Sequence, residues 1–197
     1  MELVKSQKLM ARFFTDAAFR DRVRRKPAIA LSELQLSSAD LEWFNGFVLG
    51  EGQYFADALI RKRLGQINNS LPLTKWGFGG EFNDLFYEYA SRSATHGVNR
   101  HLNDAISFCK WLRVSSCNIP KWLLDIVDYE QNWLEAMVSR RGFFKIRFYT
   151  CNIVGFMDSY KSKKSRQQRK PTIVIWWRLS AQSEPKERAF YPRYWPY

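Results

Sequence analysis

The residue types that could do chemistry are few, and their spacing argues against a catalytic site. Two histidines, His96 and His101, stand five positions apart. That spacing does not place them on one helix face, and no H-E-x-x-H, facial triad or Cys/His cluster accompanies them. They read as a loop residue and a helix-start residue. The three cysteines, Cys109, Cys117 and Cys151, are an odd number without C-x-x-C spacing, so neither a disulfide framework nor a structural zinc site is indicated and reduced thiols are expected. No nucleophile elbow, Walker A loop or kinase signature occurs. The glycines of "GFVLGEG" (46–52) lack a following Lys-Ser/Thr, and "GFGG" (77–80) does not follow a hydrophobic strand; both read as turns. Carboxylate pairs such as Asp125 with Asp128, or Asp128 with Glu130, lie beside a core stripe, where they could cap, pair with arginine or face water. No catalytic residue and no metal ligand is assigned.

Charge separates the chain into two differently built parts. The formal net charge is +12. Up to Arg140 there are 18 Lys+Arg against 16 Asp+Glu, and from Arg141 onward 13 against 3. "KSKKSRQQRK" (161–170) holds six basic residues in ten. With Tyr160, Trp176 and Trp177 nearby it fits three readings. It could contact phosphate with aromatic stacking, take a peptide or protein ligand, or act as a solvated loop that keeps a strand edge soluble.

The elements that must position these residues are helical up to Arg140. The segment 6–25 places Leu9, Phe13 or Phe14, and Ala17 on one stripe, with a break near Thr15 and Asp16 where Asp16 can cap a second helix. In 36–48, Ser37 or Ser38 supplies the N-cap and Leu41, Phe44 and Val48 the apolar side. In 53–67, Phe55, Leu59 and Ala58 face inward, with Arg61, Lys62 and Arg63 toward solvent. "NNSLPLTKWGFGG" (68–80) is punctuated by turn formers. Phe82, Leu85, Phe86 and Tyr89 form the next face, then Leu102, Ala105 or Ile106, Cys109 and Leu112. Pro120 opens the strongest helix, with Trp122, Ile126, Tyr129, Trp133 and Met137 as its stripe and Arg140 and Arg141 near its end.

At Gly142 the period changes from about 3.6 to 2. "FFKIRFYTCNIVGFM" (143–157) alternates, Phe144, Ile146 and Phe148 opposing Lys145, Arg147 and Tyr149. "PTIVIWWRLS" (171–180) is a second strand with Ile173, Ile175 and Trp177 opposed to Val174 and Trp176. A polar, basic connection spans Asp158 to Lys170, and the tail "AFYPRYWPY" (189–197) could add a third edge segment or pack on the helices. The expected class is therefore α+β, a helical domain at 1–140 and a basic hairpin or small antiparallel sheet at 141–197. Such a sheet has at least one edge with unpaired N–H and C=O groups that an extended peptide can satisfy. The candidate peptide-binding positions are Ile146, Arg147, Phe148, Tyr149, Thr150, Cys151 and Asn152 on the first strand. On the second they are Thr172, Ile173, Val174, Ile175, Trp176, Trp177 and Arg178, with Arg147 and Arg178 set to meet acidic peptide groups. For any one aromatic, core packing is the competing reading.

Two stretches carry a resemblance. Asp16 to Arg20 and Ala30 to Leu41 resemble a "DP-x-x-FR" and "A-L-x-x-L-x-L-x-x-x-D-L" pattern of small helical proteins from natural-product gene clusters. Phe108 to Ala136 resembles the "W-L … P-x-W-L-x-D-L-x-x-Y-E" segment of HvfC-type partner subunits and of the MbnC family of methanobactin biosynthesis proteins. The resemblance implies a non-catalytic subunit that binds no cofactor. Its heterodimer partner would be an MbnB-like TIM-barrel, multi-iron enzyme, with iron held by that partner. The substrate would be an MbnA-like precursor peptide whose leader this chain captures, so that a core cysteine is converted to oxazolone and thioamide.

The alternative is a DNA-binding regulator that uses helices or the basic hairpin, although nucleic acid is not the expected partner. The apolar runs fall far short of the roughly 20 residues of a spanning helix. The start of the sequence lacks a signal-peptide core and cleavage site. A cytoplasmic location without membrane attachment is expected.

Overall fold

The computed structural model describes residues 3–32, 36–48, 52–93, 100–115, 118–162 and 170–191. Among them are ten helices and a three-stranded antiparallel sheet near the C-terminus, the α+β class expected. The chain divides into two compact units, Met1–Gly65 with Asn83–His96, and Gln66–Phe82 with Gly97–Tyr197. The change of period at Gly142 falls inside the second unit, because the sheet shares its core with helices that precede it.

The first unit begins with α1 (Leu3–Thr15), α2 (Ala17–Arg25), α3 (Pro27–Ser32) and α4 (Ser38–Phe47). Asp16 breaks α1 from α2: it is extended, and its Oδ1 accepts the Phe19 N–H at 2.9 Å. Arg20 then reaches back and donates to the carbonyls of Phe13 and Phe14 at the end of α1, at 2.9 and 3.0 Å. Ser37 caps α4. Leu9, Phe13, Phe19, Val23, Leu31, Phe44 and Val48 form the core.

In α5 (Gln53–Ser70) the inward face differs from the expected one. Ala56, Ile60 and Ile67 are buried, whereas Phe55, Ala58 and Leu59 are exposed. Arg63 decides the choice between the two apolar stripes. It shares the 56, 60, 67 stripe and donates to the carbonyls of Ala90 and Ser93, at 3.2 and 2.8 Å, at the end of α7 (Glu81–Arg92). Its guanidinium thereby satisfies carbonyls that the helix leaves open.

In the second unit the stretch expected as a turn-rich connection is helical. α5 continues to Ser70, and α6 (Pro72–Phe78) follows with proline at its first position. No local side chain caps α6. Glu130, on the helix α9 (Lys121–Val138), accepts the Leu73 and Thr74 N–H groups at 2.9 and 2.8 Å instead. α6 ends at Gly79, whose φ of +60° suits glycine. The helix α8 (Arg100–Val114) buries Ala105, Ile106, Phe108, Cys109 and Leu112, and burial drives the Cys109 thiol pKa up.

The sheet consists of β1 (Phe143–Tyr149), β2 (Thr172–Arg178) and β3 (Lys186–Phe190), in that spatial order. Tyr149 pairs with Thr172, Phe144 with Trp177, and Ile173 with Phe190. A third strand is present, but β3 begins before the tail expected to supply it and shares only Ala189 and Phe190 with that stretch, whose residues 192–197 lie outside the described residues. The alternating first strand stops at Tyr149, and a helix, α10 (Ile153–Ser162), replaces the first part of the expected polar connection. Residues 163–169 of the basic run lie outside the described residues. Leu73, Leu123, Ile126, Tyr129, Tyr149, Ile153, Val174 and Trp176 make the core of the unit. No described helix is long and apolar enough to cross a membrane.

Candidate peptide-binding surface

The sheet has an unusual polarity, and α9 explains it. Asp125, Asp128, Asn132 and Glu135 recur along α9 at spacings of three, four and three, which places them on one stripe. The polar face of β1 lies against that stripe. Lys145 Nζ stands 3.0 Å from Glu135 Oε2, Arg147 Nε 3.5 Å from Asp128 Oδ2, and the Tyr149 hydroxyl donates to Asp128 Oδ2 at 3.0 Å. Arg113 from α8 completes the Asp128 cluster at 2.8 Å. Burial raises the Tyr149 pKa, and the Asp128 charge raises it further. Burial also raises Glu135, but hydrogen bonds from Gln131 and Lys145 outweigh it and hold this carboxyl below its ordinary value.

With Lys145, Arg147 and Tyr149 turned inward, the apolar alternation of β1 faces out. Phe144 is 71% exposed, Ile146 43% and Phe148 65%. On β2, Thr172, Val174 and Trp176 are buried, while Ile173, Ile175 and Trp177 are half-buried on the outer face. The register pairs the two outward rows: Phe144 with Trp177, Ile146 with Ile175, Phe148 with Ile173. Lys186, Arg188 and Phe190 of β3 continue this face across the sheet. The result is a contiguous apolar surface with a cationic margin, bordered by the edge strand β1.

Arg178 apart, the candidate positions of the sequence separate into three groups. Ile146, Phe148, Ile173, Ile175 and Trp177 lie together on the outer face, whereas Arg147, Tyr149, Thr172, Val174 and Trp176 face the helices. Thr150, Cys151 and Asn152, expected in the strand, form the link into α10. Thr150 donates through its N–H and its hydroxyl to Asp125 Oδ2, at 2.7 and 2.6 Å. Cys151 is buried, its thiol pKa pushed up to about 12 by burial. Asn152 begins α10, its Oδ1 accepting the Gly155 N–H at 2.8 Å and its backbone carbonyl the Phe156 N–H at 2.9 Å. A Cβ at Gly155 would stand 2.5 Å from Asn152 Nδ2, so this cap needs glycine there.

Arg178 does not project toward a peptide. Its guanidinium donates to the carbonyls of Ala136, Met137 and Ser139 at the end of α9, at 2.9, 2.7 and 3.1 Å, and to those of Ser183 and Ala181. Among the two histidines, His101 is exposed at the start of α8 and His96 lies outside the described residues. Among the described residues no group of three His, Cys, Asp or Glu side chains is placed to hold a metal ion.

Sequence comparison finds similarity to a described family over one segment of the chain. Residues 45–114 match the model of the SCO6045-like, C-terminal domain. No curated protein matches the chain. The SCO6045-like segment runs from the end of α4 through α8 and stops before α9 and the sheet. The pattern at Pro120, Trp122, Leu123, Asp125, Tyr129 and Glu130 therefore lies outside it, and its residues have structural duties. Pro120 precedes α9, Trp122 packs on Phe156, Asp125 holds Thr150, the Tyr129 hydroxyl donates to Glu187 and Glu130 caps α6. The outward turn of Phe144, Ile146 and Phe148 is the feature that the strand alone did not reveal. Its signal was present in the acidic stripe of α9, which needed the basic face of β1 as its complement.

Proposed function

We propose that this chain is a non-catalytic subunit that captures a precursor peptide by strand addition and presents it to a separate iron-dependent oxidase. The peptide would join the β1 edge antiparallel or parallel, with its alternate residues continuing the row of Phe144, Ile146 and Phe148. The carrying observation is the pairing of an edge strand with an outer face whose large side chains are uncovered. Main-chain hydrogen bonds would give affinity with modest sequence demands, and the apolar row would select branched or aromatic residues at every second position. The resemblance of Phe108 to Ala136 to MbnC-type proteins supports assigning the chemistry to a TIM-barrel partner that holds the iron. It also supports a ribosomal precursor with a reactive cysteine as substrate.

Two measurements test this reading. A fluorescently labelled precursor should bind the full chain, and N-methylation at alternate peptide residues should weaken binding at least tenfold, since it removes ladder donors. Co-expression with a candidate iron enzyme, followed by metal analysis of the separated subunits, should find iron in the other chain. Unchanged affinity for the N-methylated peptide would refute strand addition. Iron retained by this chain alone would refute the division of labour.

A further inference from the structure

A cavity of about 520 Å³ lies on the other side of the sheet from the exposed face, within the second unit. Its size is that of small-ligand sites, which run from roughly 300 to 1,000 Å³. Leucine, methionine and aromatic side chains form most of its wall, with Trp133, Tyr129 and Tyr160 contributing the rings. Two carboxylates also line it, Glu130 from α9 and Glu187 from β3. Glu130 is buried and its oxygens accept the Leu73 and Thr74 N–H groups. The Glu187 oxygens lie 2.7 and 2.9 Å from the Tyr129 hydroxyl, which has one proton to give.

The charge balance of this cavity is incomplete. Neither carboxylate has a basic partner within 4 Å among the described residues. A carboxylate offers about four acceptor positions, so Glu187 retains capacity after serving the Tyr129 hydroxyl. Lys161 borders the cavity but is exposed and makes no ion pair with either group. Buried carboxylates are ordinarily paired, because an isolated charge in an apolar setting is costly. Aromatic faces attract cations electrostatically, and more strongly where water is excluded.

We propose that this cavity binds an organic cation with an apolar body, an amine or guanidinium whose head meets Glu187 and Glu130 and whose stem lies on Trp133 and Tyr160. The site is distinct from the strand edge and does not depend on it. Burial raises the pKa of both Glu130 and Glu187, the direction expected of carboxylates that lack a cation. The same chemistry could arrive as a free amine or as an arginine side chain of a bound peptide. The cavity takes its wall from both the SCO6045-like segment, through Leu73 and Leu102, and the region beyond it.

The full chain is titrated at pH 8 by calorimetry with phenethylamine and with phenethyl alcohol, and with a blocked Gly-Arg-Gly peptide and its citrulline counterpart. The cationic member of at least one pair should bind ten times or more tightly than its neutral match. Saturation by the amine identifies a free small molecule as sufficient, and saturation by the arginine peptide alone identifies a side chain. Glu187→Gln keeps an acceptor for Tyr129 and should abolish the preference for the cation. Leu102→Trp, which puts a larger side chain into the cavity wall and keeps both carboxylates, should remove binding altogether. Equal binding of charged and neutral members in both pairs would overturn the proposal. So would cation binding that survives both substitutions in folded protein.

Discussion

At the scale of single residues, Glu130 has two duties with opposite electrostatic demands. As the cap of α6 it is most effective ionised, accepting two N–H groups, yet burial without a cation pushes its pKa up to about 7 from 4.5. The folded chain therefore holds this proton more tightly than the unfolded chain does. Its contribution to stability is full below pH 4.5 and is lost as pH rises through about 7. The gap corresponds to about 3 kcal/mol. Glu187 is raised in the same direction and Glu135 is lowered, so the contribution of Glu130 is isolated by comparison with a variant. Glu130→Gln mimics the protonated side chain and does not titrate, so urea unfolding should show its stability relative to the parent chain rising by a few kcal/mol between pH 5 and pH 8. A difference that is constant across this range would mean that Glu130 does not titrate there.

At the scale of elements, the helix ends show how sheet and helices are joined. α9 ends at Val138, and the basic residues that the sequence offers for its last turn, Arg140 and Arg141, are exposed. Arg178, 39 to 42 positions away and on β2, supplies the donors instead. A charged hydrogen bond contributes about 1.5 to 3 kcal/mol, and part of this array is exposed. Arg178→Ala should therefore cost about 2 kcal/mol, and Arg178→Lys should recover little of it because an ammonium lacks the planar fork. Thermal unfolding of the two variants against the parent checks this. These contacts also mark what the sequence could and could not tell. The caps at Asp16 and Ser37 were legible because donor and acceptor lie within three residues. The buried stripes of α7 and α8 were legible because each has one apolar face. α6 was not, since its cap comes from Glu130, and neither was the inward face of α5, fixed by the reach of Arg63 to Ala90 and Ser93. α10 was hidden because "NIVGF" fits a strand as well as a helix until Asn152 and Gly155 are seen to make a cap.

At the scale of the whole molecule, the described residues of the second unit pack a core against one side of its sheet and leave large apolar side chains exposed on the other. The inner face closes a core around Val174 and the rings of Trp176, Tyr149 and Tyr129, which meet at 5.7 to 6.5 Å. Nothing in that core depends on Phe144 or Phe148, which are more exposed than most residues of their size. Large uncovered apolar surfaces on a folded chain mark interaction sites or aggregation hazards. The two outcomes are separated by changing the face without changing the fold. The triple substitution Phe144→Ser, Ile146→Thr, Phe148→Ser keeps the inward Lys145, Arg147 and Tyr149 and should lower unfolding free energy by no more than about 2 kcal/mol, since each exposed cross-strand pair contributes a fraction of a kcal/mol. Sedimentation should show less self-association of the variant at equal concentration. If the face serves peptide capture, affinity for the labelled precursor should fall at least tenfold in the same protein. If solubility rises while precursor affinity stays, the face is a site for another partner and the peptide must be held elsewhere.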